Sequence, residues 1–215
     1  MSNDVQLHSD APTASSEDEV EVCLDMSRVY FYTRELGQGL TVSYTALVQA
    51  IEKELNKRAN VWIFTTLDPQ RQSQATFVTG VRNALRAKLI SATPDQAVVS
   101  ASQKDSSIYS LTNFSTEIVH TVGRLHASKK DCVVVSDCYN LYTTLADLAR
   151  RGGAKVSLAY FMEGLDRRWL GHIVKRTLGH KFIDLSKHRD RILKTSLAHD
   201  EPTSGVWNLE DLKAI

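Results

Sequence analysis

The feature that most constrains the fold is the short apolar run Cys132-Val133-Val134-Val135, which ends at Ser136. A run this short and this rich in β-branched residues favours a strand. Successive side chains of a strand point to opposite faces, so both faces of this one must be covered, as in the centre of a parallel sheet. The run therefore predicts a buried parallel strand with helices on both sides.

The segments around this run alternate between strand-like and helix-like patterns. Tyr44, Leu47 and Ile51, for example, recur at helical spacing. Strands that alternate with helices predict a doubly wound α/β fold with a mainly parallel sheet of five or six strands and helices on both faces. The predicted strands are 29–32, 61–64, 97–99, 132–135, 155–160 and 182–185, and the predicted helices are 41–58, 70–89, 113–125, 141–148 and 163–178, with a basic helix or tail at 187–197.

The ends of the chain differ from this pattern. Residues 1–25 contain seven acids, no Lys or Arg and few aromatic residues, which predicts a disordered, dispensable acidic tail over 1–26. The α/β domain is then expected at 27–197, with a tail or docking segment at 198–215. No secretory signal or membrane-spanning run is recognisable, and three cysteines at unsuitable spacings for zinc suggest reduced thiols and a cytoplasmic protein.

Three stretches in order carry a family resemblance. Val61-Trp62-Ile63-Phe64-Thr65-Thr66 is followed by a Gln-rich helix start, Val133-Val134-Val135-Ser136 is followed by a helix, and Gly152-Gly153-Ala154-Lys155-Val156 precedes Phe182-Ile183-Asp184-Leu185. Together they resemble the LabA-like group of NYN domains, which belong to the PIN-like nucleases, over residues 28–186. The resemblance implies metal-dependent RNA cleavage, in which clustered carboxylates hold Mg²⁺ or Mn²⁺.

The acidic positions of that family are not acidic in this chain. The resemblance aligns the acid of the first strand with Tyr32, a following Asn with Glu35, the two central acids with or near Ser107 and Asn113, and the acid pair of the later turn with Cys138 and Asn140. The predicted cleft therefore consists of Tyr32, Glu35, Ser136, Asp137, Cys138 and Asn140. We interpret the chain as a non-catalytic NYN/PIN-like protein that needs no metal.

Two alternatives remain open at this point. In the first, a divergent ribonuclease, Glu35 and Asp137, with Asp105 or Glu117, rebuild a Mg²⁺ or Mn²⁺ site one register away. A nucleotide-binding α/β module is the other alternative, although the chain contains no Gly-x-Gly-x-x-Gly or Walker motif.

The candidate partners are RNA, a protein or a second copy of the chain. Residues 166–194 contain nine Lys or Arg against three Asp, and one face of the predicted helix there suits phosphate oxygens. A terminal amphipathic segment suits a groove on a partner protein. The nucleic-acid-binding candidates are Arg167, Arg168, Lys175 and Arg176, and the partner-binding candidates are Trp207, Leu209, Leu212 and Ile215.

Overall fold

A computed structural model describes residues 18–37, 39–67, 72–92, 114–138, 141, 144–145, 147–148, 151, 153–165 and 182–195. The strands are β1 Glu19–Asp25, β2 Leu40–Val42, β3 Arg58–Thr66, β4 Lys88–Ala92, β5 Cys132–Val135, β6 Val156–Tyr160, β7 Phe182–Asp184 and β8 Leu193–Thr195. The helices are α1 Met26–Leu36, α2 Tyr44–Leu55, α3 Gln72–Ala84, α4 Ser115–Ala127 and α5 Arg189–Ile192, with 3₁₀ turns at Met162–Gly164 and Leu185–His188.

Six strands form one parallel sheet in the order β4-β3-β1-β5-β6-β7. The chain builds one half of the sheet outward from β1 through β3 to β4, and then returns to the other side of β1 to build β5, β6 and β7. This arrangement is doubly wound, so the predicted fold class is confirmed. The chain also forms a separate antiparallel pair, β2 with β8.

The strands next to the centre of the sheet have the buried apolar character that their sequence predicts. All four residues of β5 and all five of β6 are buried. Their covering includes Ile118 and Val122 of α4, both completely buried. Predicted strands 61–64, 132–135, 155–160 and 182–185 correspond to β3, β5, β6 and β7, with ends that differ by up to three residues.

The start of the folded domain was predicted wrongly. Residues 19–25 were assigned to a disordered tail, but they form β1, the strand between β3 and β5. The predicted first strand, 29–32, lies inside helix α1. In β1, Val20, Val22 and Leu24 alternate with Glu21 and other residues, a strand period concealed by the acidic composition.

A carboxylate is tolerated inside β1 because its oxygens are satisfied. Glu21 is only 4% exposed, yet its Oε2 accepts a hydrogen bond from Trp62 Nε1 at 2.6 Å. Its Oε1 lies 3.0 Å from Lys130 Nζ. Nearby, Asp131 accepts from Lys57 Nζ and from the backbone N–H of Lys155, both at 2.9 Å. These hydrogen bonds and ion pairs to Glu21 and Asp131 join β1, β3, β5 and the residue before β6 near the amino ends of the strands.

Other boundaries differ from the sequence prediction as well. The helix expected to reach Leu89 ends at Ala84, and residues 88–92 form edge strand β4. The start of the helix predicted at 41–58 pairs instead as β2, and α2 begins after Ser43, whose side chain accepts from Ala46 N–H. The predicted strand 97–99 and most of the helix predicted at 163–178 lie outside the described residues.

The basic segment at 187–197 was predicted as a helix or tail, and it is a mixture of short elements. A 3₁₀ turn is followed by the four-residue helix α5 and then by β8, which pairs with β2. The backbone N–H of Ser43 also donates to Ile192 O at 2.8 Å. This segment is therefore anchored beside the start of α2. Residues 198–215, the predicted docking tail, lie outside the described residues.

The three cysteines are buried and none of them forms a disulfide. Burial raises the pKa of the Cys132 thiol to about 12 and also raises that of Cys23, which keeps both as neutral thiols. None of the helices in the described ranges is long and apolar enough to cross a membrane.

The position of β1 predicts opposite outcomes for two truncations. A chain that starts at residue 18 keeps β1 and should fold, whereas a chain that starts at residue 26 loses the strand that joins both halves of the sheet and should not. Circular dichroism and thermal melting of the two purified chains measure this. A cooperative melt near the full-length value for the shorter chain would contradict the central role of β1.

Candidate functional site

The crevice of interest lies where the strand order reverses, outside the carboxyl ends of β1 and β5. In doubly wound sheets this is where ligands bind, because the flanking loops diverge there. Asp25 is the last residue of β1, and Ser136 and Asp137 directly follow β5. We call this region the switch-point crevice and define it by Asp25, Arg28, Ser136 and Asp137.

Asp25 combines a structural and a chemical role in the crevice. Its side chain is the N-cap of α1, where Oδ1 accepts from the backbone N–H of Arg28 at 3.2 Å. Its Oδ2 accepts from Ser136 Oγ at 3.1 Å. The residue is 3% exposed, and this burial raises the pKa of Asp25 from its usual value of 3.8 to about 7. Near neutral pH, Asp25 is therefore protonated in part of the molecules and ionised in the rest.

Ser136 holds the turn after β5 against the end of β1. While its Oγ donates to Asp25, it also accepts from the backbone N–H of Cys138 at 3.2 Å. Cys138 Sγ in turn lies 3.0 Å from Ser115 Oγ at the start of α4. Two of the predicted cleft residues, Ser136 and Cys138, are thus buried and connect three elements below the crevice.

Arg28 brings a positive charge beside the second acid. Its Nε lies 3.6 Å from Asp137 Oδ1, and each side chain is 28% exposed. Partial burial raises the pKa of Asp137, while the guanidinium of Arg28 opposes this change and the charge of Glu35 reinforces it. Glu35 itself is exposed on α1. The crevice therefore contains a partly exposed Arg–Asp pair in which Asp137 Oδ1 is itself buried, with a second carboxylate near it.

Tyr32 was predicted to stand at the end of the first strand, and that position is wrong. It lies within α1, 4% exposed, and its ring stacks on Phe161 with centroids 4.6 Å apart. A Cβ added at Gly164 would clash with the Tyr32 ring, so the turn after β6 closes tightly over it. Burial raises the pKa of the Tyr32 hydroxyl. Tyr32 is a packing residue between α1 and the end of β6.

Of the predicted cleft residues, Ser136, Asp137 and Cys138 lie together directly after β5, whereas Asp25 and Arg28 are absent from the sequence prediction. The signal that identifies Asp25 is the alternation of Val20, Val22 and Leu24, which predicts a strand that ends there. Of the remaining candidates, Asp105, Ser107, Asn113, Asn140, the basic residues Arg167, Arg168, Lys175 and Arg176, and the terminal Trp207, Leu209, Leu212 and Ile215 lie outside the described residues.

The described acids do not form a set suited to a divalent cation. Within the ranges given above, no group of three or more His, Cys, Asp or Glu side chains is placed to hold a metal ion. Both oxygens of Asp25 already accept hydrogen bonds, and Arg28 Nε lies 3.6 Å from Asp137 Oδ1. Mg²⁺ and Mn²⁺ require several ionised or carbonyl oxygens that converge on one point. These residues do not fit such an ion.

Comparisons with known proteins address the fold alone. No family model matches the chain, and no curated protein matches it. The chain resembles the crystal structure of a protein of unknown function from Vibrio parahaemolyticus, with a TM-score of 0.61 and 12% sequence identity over 84% of this chain and 99% of that chain. At this identity the likeness supports the doubly wound fold and says nothing about activity.

Replacing Asp25 with Asn tests the ionisation of the crevice. Because the folded pKa is raised to about 7, the neutral acid stabilises the fold at low pH, and this contribution is lost as the pH rises through about 7. Relative to Asp25→Asn, the free energy of unfolding of the wild-type protein should fall by about 2–3 kcal/mol between about pH 5 and about pH 8. Urea unfolding at the two pH values measures this difference.

Asp190→Asn is the matched control, since Asp190 is exposed on α5 and has the same change of charge. Its difference from the wild type should change little with pH. If the difference between the wild type and Asp25→Asn is equally flat, Asp25 has an ordinary pKa and the assignment is wrong.

Proposed function

We propose that this protein is a non-catalytic NYN/PIN-like module that binds RNA without cleaving it. The family part of the proposal comes from the three sequence stretches between Val61 and Leu185. The doubly wound sheet and the crevice at its switch point are compatible with it. The acid of the first strand was aligned with Tyr32, which lies in α1; the residue that ends the first strand is Asp25, and Arg28 stands three residues later.

The observation that carries the non-catalytic part is the position of Arg28. A metal-dependent nuclease uses its cation to activate water and to neutralise the phosphate in flight. In this crevice a guanidinium already lies 3.6 Å from Asp137, and Asp25 uses its oxygens to cap α1 and to accept from Ser136. A divalent ion would have to displace Arg28 and break the cap. A binding role costs neither of these contacts.

The RNA part rests on charge in the carboxyl-terminal third of the chain. Residues 166–194 contain nine Lys or Arg and three Asp. Arg matches phosphate oxygens with its two-pronged geometry, and attraction of this kind is independent of base sequence. The two buried neutral thiols, Cys23 and Cys132, suit a reducing compartment such as the cytoplasm.

A divergent metal-dependent ribonuclease is the second candidate, and Asp25 is the observation that favours it. Asp25 and Asp137 stand at the ends of neighbouring strands, so two carboxyl groups lie at the switch point. Glu35, the other acid of this candidate site, lies on the exposed face of α1. The two candidates differ in their response to Mn²⁺: the ribonuclease binds the ion and cleaves RNA, and the binding module does neither.

Calorimetric titration with Mn²⁺ at about pH 8, where Asp25 is mostly ionised, should show no saturable binding. The same protein should leave a fluorescent single-stranded RNA intact with Mg²⁺ or Mn²⁺ present. Arg28→Gln is the informative variant, because it removes the competing charge and leaves a shorter, uncharged polar side chain. Saturable Mn²⁺ binding by the wild type, lost in Asp137→Ala and accompanied by RNA cleavage, would establish the ribonuclease instead.

Binding to RNA should be weak and sensitive to salt. Each phosphate neutralised contributes about 0.7 to the slope of log affinity against log salt for a single strand. Reversal of Arg168 and Arg176 to Glu should reduce both affinity and slope, measured by fluorescence anisotropy. An unchanged melting temperature shows that a loss of affinity in this variant is not a loss of folding.

The control for the charge reversal is a chain that ends at Thr203, which lacks Trp207, Leu209, Leu212 and Ile215. Unchanged RNA binding after charge reversal, together with loss of a protein partner from the truncated chain, would replace the RNA proposal with a protein adaptor. If the full chain is a dimer in solution and the truncated chain is a monomer, this segment forms a homodimer contact.

A further inference from the structure

A second surface of the molecule, which contains none of the residues that define the crevice, has a groove lined by positively charged side chains. The groove lies between α2 and α5 and has a volume of about 210 Å³. Its lining consists of Ala46, Gln49, Ala50, Lys53, His188 and Arg191. The four residues from α2 are spaced at i, i+3, i+4 and i+7, so they form one stripe along that helix. We call this the α2–α5 groove.

The walls of the groove are held in place at both ends. At one end the backbone N–H of Ser43 donates to Ile192 O at 2.8 Å, and β2 pairs with β8 immediately beyond. At the other end His188 Nε2 lies 3.2 Å from Glu54 Oε1 on α2. These contacts fix the distance between α2 and α5. The small side chains of Ala46 and Ala50 leave the space between them open.

The cations of the groove are available to a ligand. Lys53 and Arg191 are exposed, and neither forms an ion pair with any residue that the structure describes. The neighbouring Arg189, by contrast, pairs with Glu163 at 3.0 Å. The groove itself has no acidic lining residue, and Gln49 adds an amide that can donate. An ammonium, a guanidinium, an imidazole and an amide around one space suit a multiply charged oxyanion.

We propose that the α2–α5 groove binds a phosphate group, with Lys53 and Arg191 as its principal ligands. Arg supplies paired N–H donors that match two phosphate oxygens, and Lys supplies a point charge from the opposite wall. Gln49 lines the same space as a further donor, whereas His188 Nε2 is already engaged with Glu54. The phosphate is either a free ion or a phosphate of an RNA strand. None of the groove residues belongs to the crevice or to the predicted helix at 163–178, so the site can be tested apart from the proposed function, although Arg191 is one of the nine Lys or Arg counted in residues 166–194.

Isothermal titration of the full-length protein with inorganic pyrophosphate, and anisotropy with a short single-stranded RNA, test the two sources. We expect saturable binding in at least one assay, weakened about tenfold or more by the double substitution Lys53→Gln and Arg191→Gln, because charge-assisted hydrogen bonds are the strong ones. Ala46→Leu should weaken the same binding without a change of charge, because it fills the groove. Circular dichroism and thermal melting confirm that each variant is folded.

Arg58→Gln is the matched control, since Arg58 is an exposed cation at the start of β3 and does not line the groove. It should change affinity by less than about twofold. Pyrophosphate binding alone identifies a free ion as the ligand, and RNA binding that falls in parallel identifies a phosphodiester. The proposal fails if neither probe saturates, or if Arg58→Gln weakens binding as much as the double substitution. RNA binding that is unchanged in the double variant but lost on reversal of Arg168 and Arg176 also overturns it, while leaving the proposed function intact.

Discussion

The parallel pairing of β1 with two neighbours at once is the constraint on which the rest of the structure depends. All seven of its residues pair with β3, and four of them also pair with β5. The chain must leave β1, build β3 and β4, and come back past it to place β5, so the two halves of the sheet meet only there. Without β1, neither half has a partner along its inner edge, and unpaired inner edges of a buried sheet are costly.

The same strand determines the chemistry of the crevice. Because β1 ends beside β5, Asp25 meets Ser136 across the strand ends, and because α1 starts at once, Asp25 must also cap that helix. A capping side chain contributes about 1 kcal/mol to stability. Any ligand that takes the oxygens of Asp25 therefore competes with the fold. The acid is buried enough for its pKa to reach about 7, which makes it a poor permanent anion at neutral pH.

The sequence predicts the fold wherever apolar runs are short and covered on both faces. It locates β3, β5, β6 and β7, and with them the doubly wound architecture and the residues that follow β5. It fails at β1, because Glu19, Glu21 and Asp25 make a central strand look like a solvated tail. Burial of Glu21 depends on Trp62 and on Lys130, residues far along the chain, so no local pattern reveals that its charge is satisfied.

A second failure follows from the first. Val29-Tyr30-Phe31-Tyr32 has strong strand propensity, and yet it is helical because Asp25 caps α1 and because Val29 and Tyr32 are buried on one side of it. Tertiary contacts override a local preference of this size. With the first strand predicted at 29–32, the acid at its end aligns with Tyr32. The predicted site therefore omits Asp25 and Arg28, which lie at the end of β1 and in the first turn of α1.

The switch-point crevice and the α2–α5 groove differ in their balance of charge. At the switch point Arg28 faces Asp137, Glu35 adds a second negative charge nearby, and Asp25 adds part of a third near neutral pH. Among these four groups negative charge outweighs the single positive charge, so they do not favour long-range attraction of a phosphate backbone. In the α2–α5 groove, Lys53 and Arg191 have no such counter-charges among the residues that line it. The described charges therefore favour an anionic ligand at the α2–α5 groove over one at the crevice.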